Sequence, residues 1–352
     1  MAIRLGNSGP DFLDGTSFAD FIRGFGDSDT LQGQAGNDLM LGDDGDDYIY
    51  DSNESGSFDL GNDTMVGGSG DDEIYSFGGK DLIDAGEGDE ECGDYVYIDR
   101  SELQKGLQVY GTGIPSESDS PFVNLLGSSM VMSDGSIATN MEQLELIATA
   151  QSDTIMLANV FGLEKTWVYA GEGGDVVTTG SSKDKVWADD GNDTVVLGAG
   201  DDKAWGGEGN DSMWGAADND KLWGNDGNDK LFGGNGDDTI DGGDGRDRYV
   251  GGNGADTFVL EQGEIDYDLI SDYQFDNPAE LQTLEPASYD TIKLEGYFNI
   301  DPVLSLVNES TGLVQITYEQ GTEGQYEEYF FAPGITSEDL TYVEICNYDV
   351  PV

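Results

Sequence analysis

The chain contains no histidine. That removes the commonest zinc ligand, the usual general base and every Ser–His or Cys–His nucleophile pair. An H-E-x-x-H metalloprotease motif is therefore impossible, and no G-x-S-x-G elbow occurs. Only two cysteines are present, Cys92 and Cys346. They either pair or leave Cys92 as a buried core residue of a repeat. No apolar run approaches the ~18 residues that span a bilayer. The opening MAIRLGNSGPDFLDG lacks the basic-then-apolar pattern of a cleaved leader, which places any export address elsewhere. Positive charge is scarcest of all: Lys+Arg number 14 against 73 Asp+Glu, a net charge of −59 over 352 residues. Such a surface has no basic footprint for nucleic acid or an anionic membrane.

Uncompensated charge of this size drives self-repulsion and usually accompanies disorder. Yet 37% of the residues are apolar, with 17 Tyr and 14 Phe, so material for a core exists. Bound cations would reconcile the two.

The order in the sequence is a period of nine. Residues 170–259 divide into ten consecutive nonapeptides, AGEGGDVVT, TGSSKDKVW, ADDGNDTVV, LGAGDDKAW, GGEGNDSMW, GAADNDKLW, GNDGNDKLF, GGNGDDTID, GGDGRDRYV and GGNGADTFV. Position six is always aspartate: Asp175, Asp184, Asp193, Asp202, Asp211, Asp220, Asp229, Asp238, Asp247 and Asp256. Position eight is apolar throughout, or in one case Tyr249. An earlier block contains GQAGNDLML, GDDGDDYIY, FDLGNDTMV, GGSGDDEIY, SFGGKDLID and a worn AGEGDEECG, and supplies Asp38, Asp47, Asp63, Asp72 and Asp81 at position six. A polar insertion near Asp51–Ser57 interrupts it, and DGTSFADFI and GFGDSDTLQ read as its degenerate start.

Glycines at positions one, two and four suit a tight turn with positive φ. The turn aims backbone carbonyls and the position-six carboxylate at one all-oxygen site, which suits Ca²⁺. Positions seven to nine form a short strand with only position eight inward. Two nonapeptides then make an 18-residue coil. Carboxylates of successive coils stack at about 4.8 Å, a repulsive column unless cations lie between them.

The pattern resembles the repeat-in-toxin (hemolysin-type) calcium-binding family, with its G-G-x-G-x-D-x-U-x nonapeptide. The resemblance implies an all-β fold, a right-handed parallel β-roll that binds several Ca²⁺ ions. It also implies type I secretion to the cell surface or beyond, with an uncleaved C-terminal signal. The end NYDVPV is similar to such a signal, with Asp349 before Val350 and Val352, although Pro351 departs from it. In a calcium-poor cytosol such a chain stays unfolded, and near-millimolar calcium outside folds it.

Four regions follow. Residues 1–93 hold the first repeats, and 94–165 form a β-rich intervening segment of short strands and loops packed on the roll. Residues 166–259 hold the second roll, and 260–352 a β-rich cap with the secretion signal. In the intervening segment ATNMEQLELIATAQSDTIM resembles the lead-in of a new array, with Asp153 and Ile155 at positions six and eight.

Outward positions carry the individual character. Tyr169, Trp187, Trp205 and Trp223 recur every 18 residues and stack on one face, with Lys185, Lys203 and Lys221 two residues earlier. Val196, Trp214, Phe232 and Val250 line the other. Either the chain covers these aromatics itself, or they form a contact surface for another copy or for a surface polysaccharide. Stacked coils with an aromatic stripe favour a non-enzymatic structural or adhesive protein of the cell surface or extracellular matrix that self-assembles, ahead of a carbohydrate-binding module. An enzyme comes third, because no companion domain is visible.

Overall fold

The computed structural model describes residues 1–52, 61–86, 93–111, 129–160, 162–261, 266–270, 291–295, 303–308, 313–319, 325–331 and 344–345. Among them every regular element is a strand and none is a helix. The chain divides into two compact units, Met1–Lys185 and Val186–Val352. The fold is a parallel β-solenoid.

The repeat is clearest in the second unit. Thr194–Ala199 pairs in parallel with Ser212–Ala217, which pairs with Lys230–Asn235 and then Arg248–Asn253. On the opposite sheet Lys203–Glu208 is followed by Lys221–Asp226, Thr239–Asp244, Thr257–Glu261 and Thr291–Glu295. Register advances by one coil at each step, so Val195, Met213, Leu231 and Tyr249 form one row and Ala204, Leu222, Ile240 and Phe258 the other. All eight are at most 1% exposed. A six-residue strand buries alternate side chains, here position eight and the following position one, where Leu197 is as buried as Val195 and glycine stands in most repeats. The core is therefore built on two rows of position-eight residues between the sheets, with the small position-one residues beside them.

In the first unit Ile3–Leu5, Phe21–Gly26, Leu39–Asp44, Thr64–Ser69 and Leu82–Gly86 stack in order on one sheet. Phe12–Thr16, Thr30–Gln34, Tyr48–Tyr50, Glu73–Phe77 and Tyr95–Asp99 stack on the other, followed by Gln143–Ile147 and Lys165–Tyr169. The stretch between the repeat blocks thus supplies coils of the roll instead of a layer packed onto it. Its irregular part is an antiparallel meander: Ile137–Thr139 pairs with Ser129–Met132, which pairs with Gln108–Gly111. The ladder then returns to parallel pairing at Thr154–Met156 and Val176–Thr178.

C-terminal strands cover both sheets at one end of the second unit. Gln325–Phe331 pairs with Asp266–Ile270 and extends antiparallel to Leu313–Glu319 and Val303–Asn308, while Glu344–Ile345 pairs with Thr291–Glu295. Covering an otherwise open edge removes a template for unwanted pairing. Cys92, Cys346 and the NYDVPV end lie outside the described residues.

Candidate metal centre

The turns differ from the sequence expectation in one respect. Positions two and four adopt positive φ, as at Gly207 (112°) and Gly209 (139°), and L-residues take the same places at Ala216 (85°), Asp218 (74°) and Asn225 (69°). Position one does not. Glycine is needed there for space: a Cβ on Gly206 would collide with Asp211 Oδ2 and with the carbonyl oxygen of Gly224, one coil on. Gly24, Gly42, Gly67, Gly215, Gly224 and Gly233 show the same crowding. A carboxylate oxygen and a carbonyl oxygen of the next coil therefore converge beside each of these glycines.

All fifteen aspartates singled out by the repeat are buried, none more than 3% exposed. The Asp193 N–H donates to Asp211 Oδ1 at 2.8 Å, and the same bond links Asp202 to Asp220, Asp211 to Asp229, Asp220 to Asp238, Asp229 to Asp247 and Asp238 to Asp256. In the first unit Asp29 donates to Asp47, Asp38 to Asp63, Asp47 to Asp72 and Asp63 to Asp81. Nonapeptide counting missed further rungs. Asp11 donates to Asp29, Asp20 to Asp38 and Asp72 to Asp94, while Asp247 donates to Asp268 across 21 residues; Asp153, already expected at position six, donates to Asp175. Asp94 in turn donates to Glu142 Oε2.

The ladder satisfies one carboxylate oxygen. In Asp29, Asp47, Asp63, Asp72, Asp211, Asp220, Asp229, Asp238 and Asp247 the other oxygen, Oδ2, is buried and accepts no hydrogen bond. A buried carboxylate so treated resists ionisation. Burial, reinforced by neighbouring carboxylates, pushes Asp47, Asp220, Asp229, Asp238 and Asp247 up to about 7 and Asp63 and Asp72 up to about 8. No three acidic side chains among the described residues gather as a metal cluster. A cation here would be held by single carboxylates supplemented by backbone carbonyls. Hard oxygen ligands of that kind fit Ca²⁺.

Other carboxylates are closed by the protein. The Thr16 N–H and hydroxyl both donate to Asp20 Oδ2 at 2.7 Å, and the Thr149 hydroxyl holds both oxygens of Asp153. Ser182 donates to Asp184 Oδ1 and the Gly180 N–H to its Oδ2. Asp81 Oδ2 accepts from Ser76 and from Arg100.

Outside the turns, position five builds its own column: Asn228 Nδ2 donates to Asn210 Oδ1, and Asn210 Nδ2 to Asn192 Oδ1. On the strands Trp187, Trp205 and Trp223 stack with centroids 4.9 and 4.8 Å apart and planes within 4°. Trp214 and Phe232 stack at 5.2 Å. All of these rings are half-buried. A second aromatic group, which the 18-residue count did not reveal, occupies the first unit. Tyr50, Tyr75, Phe77, Tyr95, Tyr97 and Trp167 touch in stacked, tilted and edge-on pairs.

A family model for the RTX calcium-binding nonapeptide repeat (4 copies) matches residues 5–40, 23–50, 59–89, 169–204, 187–222 and 223–258. No curated protein matches the chain. Among solved structures it is similar to the extracellular lipase LipA from Serratia marcescens, with 16% identity and a TM-score of 0.20. The match covers 96% of this chain and 40% of that one.

Proposed function

The chain belongs to the RTX calcium-binding repeat family, and from that we propose a secreted, non-enzymatic structural or adhesive protein that calcium folds outside the cell and that associates with further copies of itself. The buried, unpartnered Oδ2 atoms carry the calcium part of this reading. Each is an acceptor that water cannot reach and that the protein leaves bare, and at Asp47, Asp72, Asp211, Asp220, Asp229 and Asp238 a carbonyl of the next coil also converges. Leaving such groups unmet costs several kcal/mol apiece, and a cation removes the cost. The position-six aspartates with bare Oδ2 would hold calcium, together with the backbone of the adjacent turn. Asp175, Asp193, Asp202 and Asp256 continue the same column and are assigned the same role.

Ring geometry favours self-association over polysaccharide binding. Sugars pack on exposed aromatic faces, but Trp187, Trp205 and Trp223 spend their facing surfaces on each other and turn edges outward. A row of edges suits lateral packing against another sheet. Calcium titration followed by circular dichroism tests the folding claim, with a coil-to-β transition expected and indifference to chelator counting against it. Electron microscopy of the calcium-loaded protein tests assembly. Ordered polymers are expected, and monodisperse particles at all concentrations would remove that part of the reading.

A further inference from the structure

We propose that Arg100 is a resident cation of the roll: its guanidinium takes the place of a metal ion at Asp81, so this coil folds without calcium. Arg100 is fully buried although it carries a permanent charge. Its Nη2 lies 3.1 Å from Asp81 Oδ2, 2.9 Å from Ser76 Oγ and 3.2 Å from Ser136 Oγ. Nε donates to Asp134 Oδ2 at 2.8 Å, and Nη1 to the carbonyls of Ser76 and Asp99. Every face of the fork is engaged, as a buried guanidinium requires.

The contrast with the neighbouring rungs is direct. Asp63 and Asp72 leave Oδ2 bare, whereas the same atom of Asp81 is filled by Ser76 and Arg100. The column also changes chemistry here. The Asp81 N–H donates to the hydroxyl of Ser136 and not to a carboxylate. A calcium ion would need to stand about 2.4 Å from Oδ2, in the space the guanidinium occupies, and would be repelled by it. Both extra partners, Asp134 and Ser136, sit at the turn between the antiparallel strands Ser129–Met132 and Ile137–Thr139. The break in the repeat therefore supplies what the metal supplies elsewhere.

The inference rests partly on the calcium reading of the other coils, and two measurements on the full chain separate them. Native mass spectrometry counts bound calcium in wild type, Asp81→Asn and Asp220→Asn. Asp81→Asn should keep the wild-type number and Asp220→Asn should lose at least one ion. Loss of an ion from folded Asp81→Asn overturns the proposal, whereas a full complement in Asp220→Asn overturns the calcium ladder instead. Hydrogen exchange of the wild type in chelator covers the case in which Asp81→Asn does not fold. The amides of Asp81, Arg100 and Ile137 should exchange at least ten times more slowly than those of Asp211, Asp220 and Asp229, and Arg100→Met should abolish the difference. Equal exchange in the wild type overturns the proposal.

Discussion

The backbone N–H of Asp220 donates to Asp238 Oδ1 at 2.8 Å, and Asp238 Oδ2, from the same carboxylate, is buried with no partner. One atom of the side chain thus knits two coils together while the other opposes their burial. The metal-free roll is a fold whose hydrogen bonds and electrostatics disagree, and protons or cations can settle the disagreement.

Protons give the first prediction. The position-six carboxylates titrate near 3.8 when unperturbed and at about 7 to 8 in the metal-free fold at Asp47, Asp63, Asp72, Asp220, Asp229, Asp238 and Asp247. Between these values the folded chain binds more protons than the unfolded one, so stability falls as pH rises through that window. In chelator the protein should be more folded at pH 5 than at pH 8 by circular dichroism. The calcium midpoint should move to higher concentration below pH 7, since protons compete for the same oxygens. A flat pH response in chelator would contradict the raised values.

Space at position one gives the second. Gly224→Ala places a Cβ against Asp229 Oδ2 and the Gly242 carbonyl. Backbone cannot retreat as a flexible side chain can, so a loss of about 3 kcal/mol is expected, together with weaker calcium binding. Gly26→Ala is the control. Its Cβ would meet nothing nearer than 3.7 Å, and an effect within about 0.5 kcal/mol is expected. Thermal unfolding in saturating calcium measures both.

The third concerns Thr149, whose hydroxyl reaches both oxygens of Asp153 at 2.9 and 3.0 Å. Thr149→Val removes those bonds and keeps the shape. The calcium-free stability of this coil should drop by about 1.5 kcal/mol. Exchange of the Thr154 amide, bonded to the Leu107 carbonyl, reports it in chelator. An unchanged rate would show that the hydroxyl is dispensable.

Trp205 gives the fourth. It lies between two indoles, with planes 4° and 3° from its own. Trp205→Ala should cost about 3 kcal/mol and should erase the coupled near-ultraviolet circular dichroism of parallel indoles. A mutant spectrum that still shows the coupling would mean that the three rings do not stack in solution.

Where the nonapeptide runs unbroken, positions six and eight are inward as the period predicts. Asp211 and Met213 had to be inward because nine residues return the chain to the same place on the opposite sheet. Agreement ends where the spacing changes. Asp94, Glu142, Ser136 and Asp268 occupy rungs of the same ladder, but 22, 48, 55 and 21 residues separate them from their donors. No fixed period finds them. Thr16 and Thr149 were legible in principle, as hydroxyls at position two where glycine is usual. Arg100 was not, because nothing local marks an arginine that folds back 19 residues onto Asp81. The spacing foresaw the tryptophan column but not that its faces would be consumed, which depends on χ angles and not on count.

The aspartate bonds all run one way: each N–H donates to the carboxylate of the coil that follows it in sequence. The asparagine column runs the other way, with Asn228 donating to Asn210 and Asn210 to Asn192. The roll therefore has a sense, like an arrow, and its two ends present different chemistry. Anything that lengthens it along its axis, whether more repeats or a second molecule, can continue both columns only by joining head to tail. Growth of that kind repeats a translation and has no symmetry to close it. A fibre built this way would be polar, one end offering the aspartate N–H beside the asparagine oxygen and the other the aspartate carboxylate beside the asparagine amide.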